Sequence, residues 1–289
     1  MKWTFGILAS VFALGTSAYA SVEVSATKVL QIDYAQKGES ETLIYLANGK
    51  VARLDKNSDL IPHLKTSLKK KEWVNVTTTF ERELLAVESI PEPEDKSVEE
   101  FTSQNSIKEY RASVIPTYDQ AYKIYKGMNR RYQQESQCYN RAHVWSWEML
   151  TKHQVRSMKA FLFFTRKYIR RYNFEWWFHV APFVYVREDG KIKEKVMDYR
   201  YTYSPVSMKE WTDIFMHNNA ECSEVTKYTD YEYTREDPAK GWCMLLKVPM
   251  YYYQPIDLEA LDKKSKQKDF WGEWDLSNAY REAFGIYSK

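Results

Sequence analysis

Cysteine is scarce in this chain: there are three in 289 residues, beside five histidines, and their positions follow no metal-ligand spacing. Glycine is also thin, at nine residues, with neither a glycine-rich phosphate loop nor a G-x-S-x-G turn. That removes nucleotide-cradling and elbow-serine chemistries from consideration. Beyond the first residues no apolar run approaches twenty, because 161–186 is broken by Arg166, Lys167, Arg170, Arg171 and Glu175. Forty-two basic and 39 acidic residues leave a net charge of only +3, which singles out no nucleic-acid partner. The sequence therefore predicts no metal, no cofactor, no nucleic acid and no membrane span in the mature protein.

What is present begins with a leader. Lys2, an apolar run from Trp3 to about Leu14 and the small-residue ending Ala18-Tyr19-Ala20 read as a secretory signal spanning residues 1–20. The mature chain then starts at Ser21, in the periplasm or outside a bacterial cell. Aromatics make up 16% of the residues, with 23 tyrosines. Tyrosine-rich strands and core edges account for this composition, and so does a groove that holds extended polypeptide. In an exported protein an odd cysteine is either an intermolecular bridge or a thiol kept free. If Cys222 and Cys243 close a hairpin-like excursion as a disulfide, Cys138 is the free thiol.

Residues 21–97 read as a small α+β unit. Alternating strands at Val29 to Tyr34 and Thr42 to Ala47 lead to the hairpin dipeptide Asn48-Gly49 and a returning strand, Lys50 to Leu54. A short helix over Leu60 to Lys71 comes next, then strands at Trp73 to Thr78 and Leu84 to Ile90. Pro91-Glu92-Pro93-Glu94-Asp95-Lys96 is acidic and proline-bearing, which places a linker and a domain boundary near residue 97. The second domain, 98–289, opens with helical periodicity from Thr117 to Tyr132. A further helix starts at Cys138, with Ala142, Trp145, Met149 and Leu150 as its apolar stripe. Strands at Trp176 to Val186 and Lys191 to Tyr199 are joined by the turn Asp189-Gly190.

Cys138 thus sits in the first turn of a helix, where unpaired N–H groups and the helix dipole favour thiolate and hold an oxyanion. His179 is the candidate base and Asp198 the candidate orienting group, one on each strand of the hairpin. A two-residue turn pairs Glu188 with Lys191 and offsets His179 from Asp198 diagonally, so alignment calls for a bulge or a longer turn. His143 lies about 500° of helical rotation from Cys138; it and Arg141 read as braces of the motif. His63, His153 and His217 read as surface residues.

The run Cys138-Tyr139-Asn140-Arg141-Ala142-His143 resembles the active-site motif of bacterial protein glutaminases, in which cysteine and tyrosine are followed after one variable position by Arg-Ala-His. Trp176-Trp177-Phe178-His179-Val180-Ala181 is similar to the family's tryptophan, two residues, His-Val-Ala segment. Val196-Met197-Asp198, with Pro205 and Trp211, is similar to its aspartate strand and the stretch beyond that strand. The similarity covers Tyr132 to Trp211. It implies an α+β fold with a papain- or transglutaminase-like core, the nucleophile at a helix N-terminus packed on an antiparallel sheet. It also implies a Cys138, His179, Asp198 triad that hydrolyses glutamine side-chain amides in proteins or peptides, and an N-terminal pro-segment over the active site. Tyr139, Trp176 and Trp177 are candidate walls of the substrate slot. Asn140, the tryptophan-rich helix after the motif and the C-terminal third, with Tyr251 to Tyr253 and Trp271 to Trp274, depart from the pattern. The same triad also fits a transglutaminase or a peptide or peptidoglycan amide hydrolase, and the aromatic surface fits a secreted binding protein on an inactive scaffold.

Overall fold

Strand β2 (Glu41–Leu46) explains how the N-terminal unit is joined to the rest. Its residues alternate between two cores: Ile44 and Leu46 face a small cluster with Val29, Leu64, Val74 and Val76, whereas Leu43 and Tyr45 enter the large cluster that holds Trp177 and Phe178. A strand buried on both faces reads as a continuous apolar run, as Leu43-Ile44-Tyr45-Leu46 does. The computed structural model describes residues 22–79, 81–91, 110–134, 136–231, 241–262 and 276–285. The predicted leader, the predicted boundary near residue 97 and the Trp271 to Trp274 run lie outside them.

The first sheet has five strands in the order β3 (Val51–Asp55), β2, β1 (Val22–Asp33), β4 (Trp73–Thr79), β5 (Leu84–Ile90), with every neighbour antiparallel. Helix α1 (Ile61–Lys70) carries its proline in the first turn, where a missing N–H costs nothing, and buries Leu64 and Ser67. The β2–β3 turn is made by Asn48-Gly49, with Gly49 at φ +86°. A side chain there is strained by that φ, and its Cβ would meet the Phe178 ring at 3.2 Å.

The second sheet runs β10 (Ser223–Val225), β11 (Cys243–Pro249), β7 (Met158–Phe164), β8 (Phe178–Glu188), β6 (Val114–Ile115), with β9 (Lys191–Val196) also paired to β8. Its centre, β11-β7-β8-β9, is antiparallel. Helices α2 (Tyr118–Gly127) and α3 (Cys138–His153) pack against β8. The chain is α+β: a helix-bearing nucleophile candidate set on an antiparallel sheet, beside a small α+β unit. Helix α4 (Arg166–Tyr172) comes after β7, α5 (Met208–Phe215) after β9, and α6 (Pro255–Asp262) and α7 (Leu276–Phe284) come last.

Helix α2 ends at Gly127, short of Tyr132, because the next residues serve α3: the Asn129 carbonyl accepts from the Trp145 indole at 2.9 Å and its N–H donates to Glu148 at 3.0 Å. Among the described residues no helix is long and apolar enough to cross a membrane.

Candidate active site

Helix α3 opens on Cys138, and its first turn lacks a side-chain cap: Gln137 at the N-cap makes no such bond. By contrast Thr117, Thr165 and Ser207 cap α2, α4 and α5 with their side chains. The first N–H groups of α3 are therefore left to whatever lies beside the sulfur. Cys138 is half-buried and is the free cysteine of the described residues, while Cys222 and Cys243 form a disulfide.

His179 is the second residue of β8, opposite Leu162 of β7, and is almost wholly buried. Its Nε2 lies 2.7 Å from Asp198 Oδ2, and its ring hydrogen-bonds the Cys138 thiol. With Nε2 engaged by Asp198, Nδ1 is the nitrogen left for sulfur. The structure thus brings Cys138, His179 and Asp198 into one hydrogen-bonded line.

Asp198 reaches His179 by neither a bulge nor a longer turn. The register stays regular from Glu188 opposite Lys191 to Phe183 opposite Val196, and the Met197 N–H continues it to the Pro182 carbonyl at 2.8 Å. The strand then stops, and the Asp198 carbonyl accepts from the N–H groups of Tyr201 and Thr202 and from Thr202 Oγ1. That tight turn swings the carboxylate out of the ladder and towards His179. Trp211, on α5, donates its indole N–H to the same Oδ2 at 2.9 Å. Its place in the sequence pattern was legible, but its role as a second donor to Asp198 was not. Trp211→Phe removes one charge-assisted hydrogen bond.

The electrostatics are set by this line. Burial alone would push the Cys138 thiol up, but its hydrogen bond to His179, the charges of His179 and Arg141, and the Val180 N–H bring it below the ordinary thiol value. Burial would lower His179, yet the Asp198 charge and hydrogen bond, with Cys138, raise it to about 8. Burial would raise Asp198, and His179, Trp211 and Arg141 hold it below the usual carboxylate range. A lowered thiol beside a raised imidazole favours a thiolate–imidazolium pair.

The three candidate slot residues separate. Trp176 is half-buried and stacks on the His179 ring at 6.0 Å. Tyr139 is nearly buried, stacked on Phe178 and met edge-on by Tyr253. Trp177 is wholly buried: its indole donates to the Leu46 carbonyl at 3.0 Å and its ring packs against Tyr45 of β2. In this structure Trp177 is a core side chain covered by the N-terminal unit, so it lines no open slot.

Arg141 ties the motif down by donating to the Ser136 carbonyl and hydroxyl. His143 is buried, 2.8 Å from Lys159 Nζ, which also donates to the Tyr252 carbonyl at 2.7 Å. Asn140 is buried as well, accepting from the Tyr253 hydroxyl and donating to Glu282 at 3.0 Å. Tyr253 therefore buttresses α3 directly, and Tyr252 does so through Lys159. His63, His153 and His217 are exposed. Among the described residues no group of three or more His, Cys, Asp or Glu is disposed to hold a metal.

A family model described as glutaminase matches residues 107–215, a span that contains Tyr132 to Trp211. The resemblance to the protein glutaminases read from that stretch is thereby borne out. A crystal structure of a pro-protein-glutaminase aligns with 81% of this chain and 84% of its own, at a TM-score of 0.48 and 16% identity. The protein-glutaminase of Chryseobacterium proteolyticum, solved by NMR, aligns with 58% of this chain and 86% of its own, at a TM-score of 0.36 and 14% identity. No curated protein matches the chain.

Proposed function

We propose that this chain, kin to the glutaminases over residues 107–215, is an exported enzyme that deamidates glutamine side chains in proteins or peptides, with Cys138 as nucleophile, His179 as acid and base, and Asp198 as the orienting group. The observation that carries this reading is the Cys138–His179–Asp198 line at the uncapped start of α3. The Cys138 thiolate attacks the carboxamide carbon, and the negative oxygen is met by the free N–H groups of the first turn. As the intermediate collapses, the C–N bond breaks, the His179 imidazolium gives its proton to the departing nitrogen, and ammonia leaves a thioester. Neutral His179 then takes a proton from water, hydroxide adds to the thioester carbon, and sulfur leaves as thiolate. The sum is amide plus water to carboxylic acid plus ammonia, which ionise in water to carboxylate and ammonium, with the enzyme restored. Asp198 keeps Nε2 protonated and steadies the imidazolium throughout.

The disulfide Cys222–Cys243 supports an oxidising destination, in keeping with residues 1–20 as an export signal. Residues 21–97 act in this reading as a covering pro-segment. The β2–β3 turn supports it, because the Gly49 and Leu46 carbonyls accept from the Trp177 backbone and indole, and Val51 N–H donates to the Glu175 carbonyl. These contacts hold the segment that leads directly into His179. Ammonia release from a blocked glutaminyl dipeptide and from casein, before and after light proteolysis, tests both points. No release in either state refutes the deamidase, and release that cleavage does not increase refutes the covering role.

The pH dependence has a definite sign. A thiolate–imidazolium pair exists above the lowered pKa of the thiol and below about 8, where His179 loses its proton. Acylation should rise through the first and fall through the second as macroscopic values of the pair. Alkylation of Cys138 by iodoacetamide needs the thiolate but no proton donor, so it should persist above pH 8. Loss of alkylation together with ammonia release on the alkaline side would contradict the assignment of His179 as acid.

A further inference from the structure

Two guanidinium groups stand beside the reacting line with buried N–H bonds unspent. Arg141 lies three residues after Cys138, on the same face of α3, and is 3% exposed. Its Nη1 is taken by Ser136, but its Nε has no hydrogen-bond partner among the described residues. Arg200 lies two residues after Asp198, and its buried Nη1 is unpartnered in the same way. Both guanidiniums converge on one ring, lying 5.8 and 5.5 Å from the centroid of Tyr132. Arg200 also lies 5.8 Å from the Tyr201 ring, which meets the His179 ring edge-on at 5.1 Å. Tyr132, Arg200 and Tyr201 are each partly exposed, so this cluster is open to a substrate chain.

Like charges drawn together repel, and buried donors without acceptors are costly. The Asp198 charge offsets that of Arg141 in part, but its Oδ2 accepts from His179 and Trp211 and it takes up neither of the two unspent N–H bonds. What the pair lacks is an external anion, and the planar guanidinium fork matches a carboxylate. An extended chain advances about 3.3 Å per residue, so a side chain one or two positions from a glutamine held at Cys138 reaches groups that flank the triad, as Arg141 on α3 and Arg200 beside Asp198 do.

We propose that Arg141 and Arg200 form a subsite for a substrate carboxylate, so that the enzyme favours glutamines with an aspartate or glutamate one or two residues away. This rests on the deamidase reading and adds a rule of substrate choice to it. The placement of Arg141 explains a second effect: its charge is felt by both Cys138 and Asp198, so a carboxylate bound too deep would weaken the thiolate. Selection therefore falls on a neighbouring residue, not on the reactive one.

The test uses the protein before and after light proteolysis, with blocked peptides that carry a glutamine next to glutamate or next to its neutral methyl ester. Wild type should show about a tenfold higher kcat/KM for the acidic peptide at low salt, mostly through KM, and the ratio should shrink at high ionic strength. Arg200→Gln should bring the ratio to about one, and Arg200→Lys should leave it between the two. Equal kcat/KM for the two peptides in wild type, or a ratio that Arg200→Gln leaves unchanged, would overturn the proposal. The same peptides are titrated into Cys138→Ala protein and followed by tryptophan fluorescence. If no peptide yields ammonia, that binding ratio still decides the subsite, while the deamidase reading falls separately.

Discussion

Under the proposed deamidation, Cys138→Ala should lower ammonia release from a blocked glutaminyl dipeptide by about four orders of magnitude or more, with little change in folding stability. The size reflects the unit in which Cys138 acts. Deleting the nucleophile of a hydrogen-bonded triad removes nearly all the rate that the three groups supply together. What survives comes from binding and from N–H groups directed at the oxyanion. Cys138→Ser should do almost as badly, because a hydroxyl has no thiolate-like form for the raised His179 to stabilise. Stability changes little because Cys138 is small and half-buried. Purified Cys138→Ala that retained more than a hundredth of wild-type activity would remove Cys138 as the nucleophile.

Arg166→Ala destabilises the protein by about 3 kcal/mol at pH 7, the low end of what breaking a buried ion pair costs. Arg166 is the first residue of α4 and wholly buried; it pairs with Asp33 at the end of β1 and reaches Glu39 at 3.0 Å. Arg170, 3.5 Å from Asp33 and 3.3 Å from Glu39, takes over part of the neutralisation, which keeps the loss at that end. Burial raises the Asp33 carboxyl above its ordinary pKa, and Arg166 and Arg170 offset this only in part. In the variant that raise grows. A group whose folded pKa is raised contributes stability that is lost as pH rises through it, so the deficit should be largest at neutral pH and above and shrink towards pH 4. Asp33→Leu combined with Arg166→Met should recover most of the loss, since no uncompensated charge is then buried. Urea denaturation across pH checks this. A deficit below 1 kcal/mol at pH 7, or one that grows on acidification, would show that the pair does not hold the N-terminal unit to α4.

Short-range signals carried much of the fold. The start of α3 at Cys138 was legible because Ala142, Trp145 and Met149 keep one helical stripe, and all three are buried. Asn48-Gly49 and Asp189-Gly190 declared their turns through residues that accept positive φ. Strand β7 went unread because its run Ala160 to Phe164 is continuously apolar, and a fully buried strand of that kind has no period to show. The seat of Trp177 was equally hidden, since its indole partner, Leu46, is 131 residues away in sequence. The turn that aims Asp198 at His179 rests on Thr202 and on Tyr125, whose hydroxyl bonds Thr202 from α2. No local pattern announces such a chain of contacts. Cys138, His179 and Asp198 were found because their chemistry and order were distinctive, whereas Trp211 needed the fold to reveal its part.

The Cys222–Cys243 bond joins the start of β11 to the residue before β10, at the short parallel edge of the second sheet. Protein made in a reducing cytosol would present three thiols instead of one, and the quickest to react on later oxidation would be Cys138, whose thiolate is already favoured. A preparation oxidised in that order would trap Cys138 in a mixed or misplaced disulfide and leave the sheet edge unfastened. Its measured turnover would then record the redox history of the sample, and two batches of identical sequence would differ in active fraction before any substrate was added.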